Sequence, residues 1–201
     1  MVIIERARFA GLIDASPTAA VDATGLETRH VSEHFGKRRG DGKRSGHRQR
    51  AWPKLTAALH THSRLIVGTV TGIGPNQDPP DFGPIICQAT SIMAFSMVLA
   101  DAGYDAEHNH RLCREELGVT RSVIALNRRN TGRRWPKTLQ AGPRQRFPEL
   151  LYHHRRHIES GFSQHKRRLG SALSARGHQA QRRELILRVL THNLMLLAAT
   201  A

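Results

Sequence analysis

Three carboxylates stand in contexts that could carry chemistry. Asp22 closes a short apolar run in VDATGLE (21–27), and Asp101 closes another in LADAGYDAEHNH (99–110). A carboxylate beside a buried strand is costly unless something pairs with it. Each is followed by a small residue and a glycine, and open α/β sheets place their sites at the carboxyl ends of strands. A turn aspartate capping a neighbouring amide explains either one alone; the two together favour metal ligation. The third carboxylate is Glu159. At 100° per residue, Tyr152, Arg155, Glu159 and Lys166 fall within about 60° of arc on one helix. Leu151, Ile158, Phe162 and Leu169 form an apolar stripe beside them. An i,i+4 ion pair between Arg155 and Glu159 is worth about 0.3–0.5 kcal/mol, and it leaves Tyr152 and Lys166 on the same stripe without a reason. Gly161 inside this helix costs about 1 kcal/mol relative to Ala, so something must favour or tolerate it.

Such a set suits one chemistry. Mg²⁺, with Mn²⁺ able to substitute, prefers hard oxygen ligands and keeps waters. Two such ions about 3.5–4 Å apart activate an attacking oxygen and stabilise the leaving oxygen of a phosphodiester. Arg155 and Lys166 would hold nearby phosphates, Arg by paired hydrogen bonds and Lys as a point charge.

The charge balance points the same way. The 201 residues carry 31 Lys+Arg against 16 Asp+Glu, a net +15, with 13 His besides. That excess calls for a polyanion, a nucleic acid or an anionic membrane surface. Segments 37–50, 128–146 and 155–183 hold 22 of the 31 basic residues. Three such runs between apolar strands are better read as one composite phosphate surface than as separate solvated faces. No apolar stretch approaches the ~20 residues of a membrane span, and Glu5, Arg6 and Arg8 interrupt the apolar start, so no secretory signal is visible. Cys87 and Cys113 are too few for a disulfide framework, which suggests a reducing cytoplasm.

The elements that must position the carboxylates follow from pattern. Strands are expected at 19–24, 54–60, 65–73, 97–100 and 122–126, the second and third forming a hairpin. Segment 74–84, with its four prolines, reads as a loop. Helices are expected at 85–93, at 106–117 with Gly118 as its stop, from Pro148 to Gly170, and at 182–197. Strands alternating with helices in the second half imply parallel pairing there.

The spacing Tyr152–x2–Arg155–x3–Glu159–x6–Lys166 resembles the Y-R-E-K signature of bacterial insertion-sequence transposases with a DDE catalytic triad. Asp22 and Asp101 resemble the first and second aspartates of that family, and Glu159 its glutamate. RRWPKT (133–138), FSQHKRRLGSAL (162–173) and THNLMLL (191–197) are similar to it as well, so the resemblance covers about 19–197. It implies an α/β, RNase H-like (retroviral-integrase-like) mixed sheet with flanking helices. It also implies Mg²⁺-dependent hydrolysis at transposon ends followed by attack of the freed 3′-hydroxyl on target DNA. Asp22, Asp101 and Glu159 would be both catalytic and metal-binding. Tyr152, Arg155, Lys166, Arg167, Arg168, Arg133, Arg134 and Lys137 would serve DNA. The implied setting is a cytoplasmic, nucleoid-associated protein that forms a homodimer in a synaptic complex, without membrane contact. Complete members carry a further N-terminal region that binds terminal repeats. Only 21 residues precede Asp22, so 1–17 is expected to be a short remnant and 18–201 the catalytic domain of a shortened copy.

Two other classes share these features. One is a DNA-coating relic indifferent to Mg²⁺, and the other an RNase H-like nuclease with the same triad and no strand transfer. Zinc is a poor reading of the histidines, since no H-E-x-x-H or Cys/His spacing is present; surface or DNA-facing imidazoles fit better. Asp105 and Glu107 read as helix N-terminal caps, Asp78 as a turn residue, and Trp52 and Trp135 as base-stacking or packing side chains.

Overall fold

The computed structural model describes residues 2–28, 52–74, 79–126 and 147–200. Segments 37–50 and 128–146, with Arg133, Arg134, Trp135 and Lys137, lie outside the described residues, as does Asp78. The elements in chain order are α1 Val2–Phe9, β1 Thr18–Gly25, β2 Glu27–Thr28, β3 Trp52–His60, β4 Ile66–Gly74 and α2 Phe82–Ile92. They continue with β5 Met97–Ala100, α3 Glu107–Arg111, β6 Arg121–Ile124, α4 Glu149–Tyr152, α5 Arg156–Leu169, β7 Ala172–Leu173 and α6 His178–Ala198.

Five strands make one mixed sheet in the order β4-β3-β1-β5-β6. The β3–β4 hairpin is antiparallel, and β3 runs antiparallel to β1; β1, β5 and β6 are mutually parallel. This is the expected order of three antiparallel strands followed by alternating helices and strands, an architecture consistent with the RNase H-like fold. Side-chain alternation along β1 divides the core. Ala19 and Val21 join Phe82, Ile85 and Ile86 of α2 and Ile4 and Ala7 of α1 on one face. Ala20 joins Leu55, Leu59 and Leu99 of the sheet with Ile158 and Phe162 of α5 and Leu185 of α6 on the other. Asp22 and Thr24, in step with Ala20, therefore point toward α5. No described helix is long and apolar enough to cross a membrane.

Several expectations shift. The helix expected at 85–93 begins at Phe82, after a short turn at Pro79–Asp81. Pro84 sits in its first turn, where a missing N–H breaks no intrahelical bond. The continuous helix expected from Pro148 is two helices joined by a 3₁₀ turn at His153–Arg155, and Gly170, at φ 89°, ends it. The helix after Asp105 continues as a π turn over Leu112–Glu116. Asp105 does not cap it: Ala106 is at the N-cap, and Asp105 lies 4.0 Å from His110 Nε2. Trp52 packs its indole over Gly25 and Gly74 of the neighbouring strands. Neither α1 nor the short parallel β2–β7 pair is visible as a sequence pattern.

Two helices are fastened by specific contacts. Gly161 lies where any Cβ would run into Leu59 of β3, so its helix cost is the condition for α5 to lie close on the sheet. Asn193 of α6 accepts from the Ile66 N–H at 2.9 Å and donates to the Ile66 carbonyl at 2.8 Å. It thereby covers backbone groups that edge strand β4 would otherwise leave open. Beside it, His192 and His165 are fully buried with ring centroids 5.8 Å apart.

Two stability predictions follow from this packing. A Cβ on Gly68 would lie 2.6 Å from the Ile85 carbonyl oxygen, whereas one on Gly103 meets nothing within 4 Å. Gly68→Ala is expected to cost about 1–3 kcal/mol and Gly103→Ala less than about 0.5 kcal/mol, read from denaturant midpoints. Burial pushes His110 and His165 down from 6.5 to about 4, with nearby Arg114 adding to the effect at His110, and His192, Arg188 and Lys166 at His165. The folded state thus refuses protons that the unfolded state accepts. Stability is full above pH 6.5 and falls toward pH 4, by at most about 1.4 kcal/mol per pH unit for each imidazole. Among the described residues neither His165 ring nitrogen has a hydrogen-bond partner. His165→Leu should therefore be near neutral at pH 7.5 and flatten the acid limb of a stability–pH curve; an unchanged limb would contradict this.

Candidate active site

The site is assembled where β5 ends beside the middle of β1, which runs on to Gly25 paired with β3. Val21 pairs with Ala100 in parallel register, so the next residues, Asp22 and Asp101, emerge side by side. Each does what a turn aspartate does. Asp22 Oδ1 accepts the Ala23 N–H at 2.8 Å, and Asp101 Oδ1 accepts the Ala102 N–H at 2.5 Å. That leaves a second oxygen on each, and on Asp22 it is engaged. Arg155 Nη1 donates to Asp22 Oδ2 at 2.7 Å, and Arg155 Nη2 donates to Glu159 Oε1 at 2.9 Å. One guanidinium therefore joins the strand carboxylate to the helix carboxylate. The 3₁₀ turn at His153–Arg155 is the segment that delivers it.

The pair is well enclosed on one side only. The side chains of Arg155 and Asp22 are 17% and 21% exposed, and that of Glu159 is 55% exposed. The ion pair to Asp22 is the more consequential one, since exposed pairs contribute about 0–1 kcal/mol. Desolvation by burial raises the Asp22 pKa above its usual 3.8. The Ala23 N–H and Arg155 oppose that rise, and the nearby Asp101 charge adds to it. At Arg155 burial alone would lower the pKa, but Asp22, Tyr152 and Asp101 together raise it. The two partners gain unequally because Arg155 faces several acceptors, while Asp22 faces one cation and a like charge. Tyr152 belongs to the same group. Its phenol is raised by burial and held against Arg155, Asp101 and Asp22; its ring lies 5.8 Å from the Arg155 guanidinium carbon and 5.1 Å from the Phe147 ring.

Beside this cluster opens a cleft of about 610 Å³, lined by Asp22, Ala23, Thr24, Glu159, Phe162, Ser163, Lys166, Arg167 and Ser171. Lys166 and Arg167 are thus brought to the carboxylates. Arg168 is not among the lining residues; it bears instead on His192. Thr24, Ser163 and Ser171 are lining residues that sequence reasoning missed. Two of them had a signal: Thr24 is two residues beyond Asp22 on a strand, and Ser163 four beyond Glu159 on a helix. Among the described residues no three His, Cys, Asp or Glu side chains are grouped as a metal ion would need. Arg155 stands between two of the three carboxylates.

A family model described as "Transposase DDE domain" matches residues 14–194 of the chain. No curated protein matches it.

The raised Asp22 pKa has a testable sign. The fold disfavours the ionised carboxylate, so the contribution of Asp22 to stability is greatest below pH 3.8 and is lost as pH rises through the elevated value, opposite in sign to the buried imidazoles. Asp22→Asn keeps the shape and removes the charge. At pH 7 it should melt at or above the temperature of the natural chain, with the gap closing as pH approaches 4. A lower melting temperature at pH 7 would mean that the Arg155 ion pair outweighs burial.

Proposed function

The chain belongs to the transposase DDE domain family, whose role is DNA transposition, and from that premise we propose that it cleaves and joins DNA at transposon ends with Asp22, Asp101 and Glu159 as its catalytic carboxylates. The single observation that carries the reading is the Arg155 bridge from Asp22 to Glu159, in a parallel register that sets Asp101 beside Asp22. A carboxylate on a central strand and one on a covering helix have little structural reason to share one guanidinium. The Y-R-E-K subgroup is favoured because Tyr152 and Arg155 join that cluster and Lys166 lines the cleft next to it.

The residues suit a divalent cation in chemical type. Their donors are carboxylate oxygens, and the pair Asp22–Glu159 is already organised around a positive charge, the guanidinium. Asp22, Asp101 and Glu159 would hold Mg²⁺ or Mn²⁺, which when bound activates an attacking oxygen and stabilises a leaving oxygen of a phosphodiester. The chain's own groups do the rest. Lys166 and Arg167 supply positive charge along the cleft, and Ser163 and Ser171 supply hydroxyls. Arg155 is the internal counter-ion of the carboxylates, and its fork fits a phosphate as well as a carboxylate. A DNA backbone in the cleft offers it a second acceptor. Tyr152 shields one side of the guanidinium from water, which strengthens whichever anion it holds. The working assembly is a homodimer on paired transposon ends.

The test is Mg²⁺- and Mn²⁺-dependent nicking of supercoiled plasmid by the purified chain beside Asp22→Ala, Asp101→Ala and Glu159→Ala, with DNA binding measured for all four. The expected result is nicking by the natural chain and background levels for each variant, with binding retained. Equal binding with no nicking by any of them would leave a DNA-binding protein without catalysis. Nicking with no joined product when donor ends carry a free 3′-hydroxyl would instead indicate an RNase H-like nuclease.

A further inference from the structure

The strap that leads from α5 to α6 borders the cleft, and its position is set by hydrogen bonds rather than by its own burial. Gly170, at φ 89°, turns the chain out of α5, and its N–H still bonds the Lys166 carbonyl at 2.8 Å. Ser171 follows, exposed and in the cleft wall with Lys166 and Arg167. Segment 170–172 is Gly-Ser-Ala and places no large side chain in the core. The first apolar anchor of the strap is Leu173, which is fully buried and shares a core with Leu185 and Val189 of α6. The backbone of 170–172 therefore lies where its hydrogen bonds put it.

Those bonds come from two sides. On one side β7 pairs with β2, and the Glu27 N–H donates to the Ser171 carbonyl at 3.0 Å. Among the described residues this small sheet has no third strand, and on its open side two side chains of α6 take that place. Arg188 Nη1 donates to the Gly170 carbonyl and Arg188 Nη2 to the Ala172 carbonyl, both at 2.7 Å. Glu184 accepts the Ser174 N–H at 3.0 Å and the Ala175 N–H at 2.8 Å. The two side chains are joined to each other, Arg188 Nη2 to Glu184 Oε1 at 2.7 Å, and are 12% and 21% exposed. One ion pair thus does for this edge what a neighbouring strand would do. Bonds to ionised groups are the stronger kind, so the grip is firm. It also matters for an anion. Three successive carbonyl oxygens, those of 170, 171 and 172, are drawn to donors, and their negative ends are occupied. What the strap offers the cleft is the hydroxyl of Ser171, in the same wall as the ammonium of Lys166.

We propose that Arg188, with Glu184, is a positioning residue for DNA, holding the strap so that the Ser171 hydroxyl donates to a backbone phosphate that lies against Lys166. The inference rests on the transposition reading in taking DNA as the occupant of the cleft, and it needs no metal chemistry. Arg188 does not itself hold the phosphate, because both of its Nη groups are engaged by carbonyls and by Glu184. Lys166 supplies charge and Ser171 supplies direction. An ammonium attracts a phosphate from any side, whereas a hydroxyl donates along one line. The pair therefore fixes where along the cleft a phosphate rests. Without Arg188 the 170 and 172 carbonyls lose their donors, segment 170–172 is held from the β2 side alone, and the hydroxyl loses its fixed place.

The experiment is fluorescence anisotropy of the full chain on a short DNA duplex of arbitrary sequence, in EDTA, with salt titrations. Because binding is read without metal, a chain that never nicks DNA still answers the question. Ser171→Ala should weaken binding about three- to tenfold, the loss of one hydrogen bond, and Ser171→Thr should stay within about twofold of the natural chain. Arg188→Gln should weaken binding by about the same factor as Ser171→Ala. The two losses should not multiply: Ser171→Ala/Arg188→Gln should bind within about twofold of Arg188→Gln alone, as members of one network do. Neither change should alter the slope of log K against log salt, whereas Lys166→Ala should make it shallower by about 0.9. Lys166→Ala should also keep its full penalty in the Arg188→Gln background. Three results overturn the proposal. Losses that multiply mean that Arg188 does not act through Ser171. A shallower slope for Arg188→Gln means that it touches a phosphate itself. Loss of the Lys166 penalty in that background means that the whole cleft has collapsed. If Arg188→Gln fails to show the natural circular dichroism, Glu184→Ala takes its place in the same cycle, with the same expectations and the same overturning results. Absence of DNA binding by the natural chain would remove the transposition reading and this inference together, while binding with multiplied losses removes this inference alone.

Discussion

Asp22 is an ionisable group inside β1, the strand that has neighbours on both sides, and desolvating it is the constraint around which the rest is arranged. The Ala23 N–H and Arg155 recover part of the cost, but burial still wins at Asp22. Arg155 can reach Asp22 only if α5 lies directly on the sheet beside β1. That needs Ile158 and Phe162 in the core and a residue without a side chain at Gly161, against Leu59. The short turn at His153–Arg155 then re-aims the chain so that Arg155 meets both carboxylates. A carboxylate held ionised against its own desolvation is a strong acceptor, and it binds whatever cation is offered. In the chain alone that cation is Arg155.

The same body tolerates an unusual set of buried bases. His60, His110, His165 and His192 are each fully buried, and each has its pKa lowered, with burial as the largest cause. They serve as neutral polar packing. His110 meets Ser122 Oγ at 2.7 Å, His60 meets Ser63 Oγ at 2.7 Å, and His192 meets the Arg64 carbonyl. These bonds link helices, turns and strands through imidazoles whose burial favours the uncharged form.

Much of this arrangement could be read from residues alone, and the limits of the reading are physical. Asp22 and Asp101 stood out because each ends an apolar run, and a two-residue period puts Asp22 on the face of Ala20. What neither strand contains is the register between them; the Val21–Ala100 pairing is a property of the packed sheet. The polar stripe of α5 was legible from 100° spacing, yet the break at His153–Arg155 was not, since no Pro or Gly marks it. Gly161 showed its helix cost in the sequence, whereas its benefit lies in Leu59, on a strand far away in the chain. Helix α1 escaped notice because Glu5, Arg6 and Arg8 interrupt its apolar positions, and only Ile4 and Ala7, one turn apart, need to reach the core. Asn193, a polar residue in the expected helix 182–197, proves to be its tie to β4.

The consecutive pair Arg155–Arg156, where the 3₁₀ turn passes into α5, engages two different partners. Successive residues here diverge by about 100°, so two identical side chains are sent in different directions. Arg155 turns to Asp22 and Glu159, and Arg156 turns to His153. Ile158, Gly161, Phe162 and His165 form the face of α5 turned to the core and are all buried. Packing against Leu59 and the sheet limits rolling of the helix, so the direction in which Glu159 and its neighbours point is set by the core. A sequence change that let α5 rotate would displace them together. The buried face is therefore as much a determinant of what the surface can bind as the charged residues themselves.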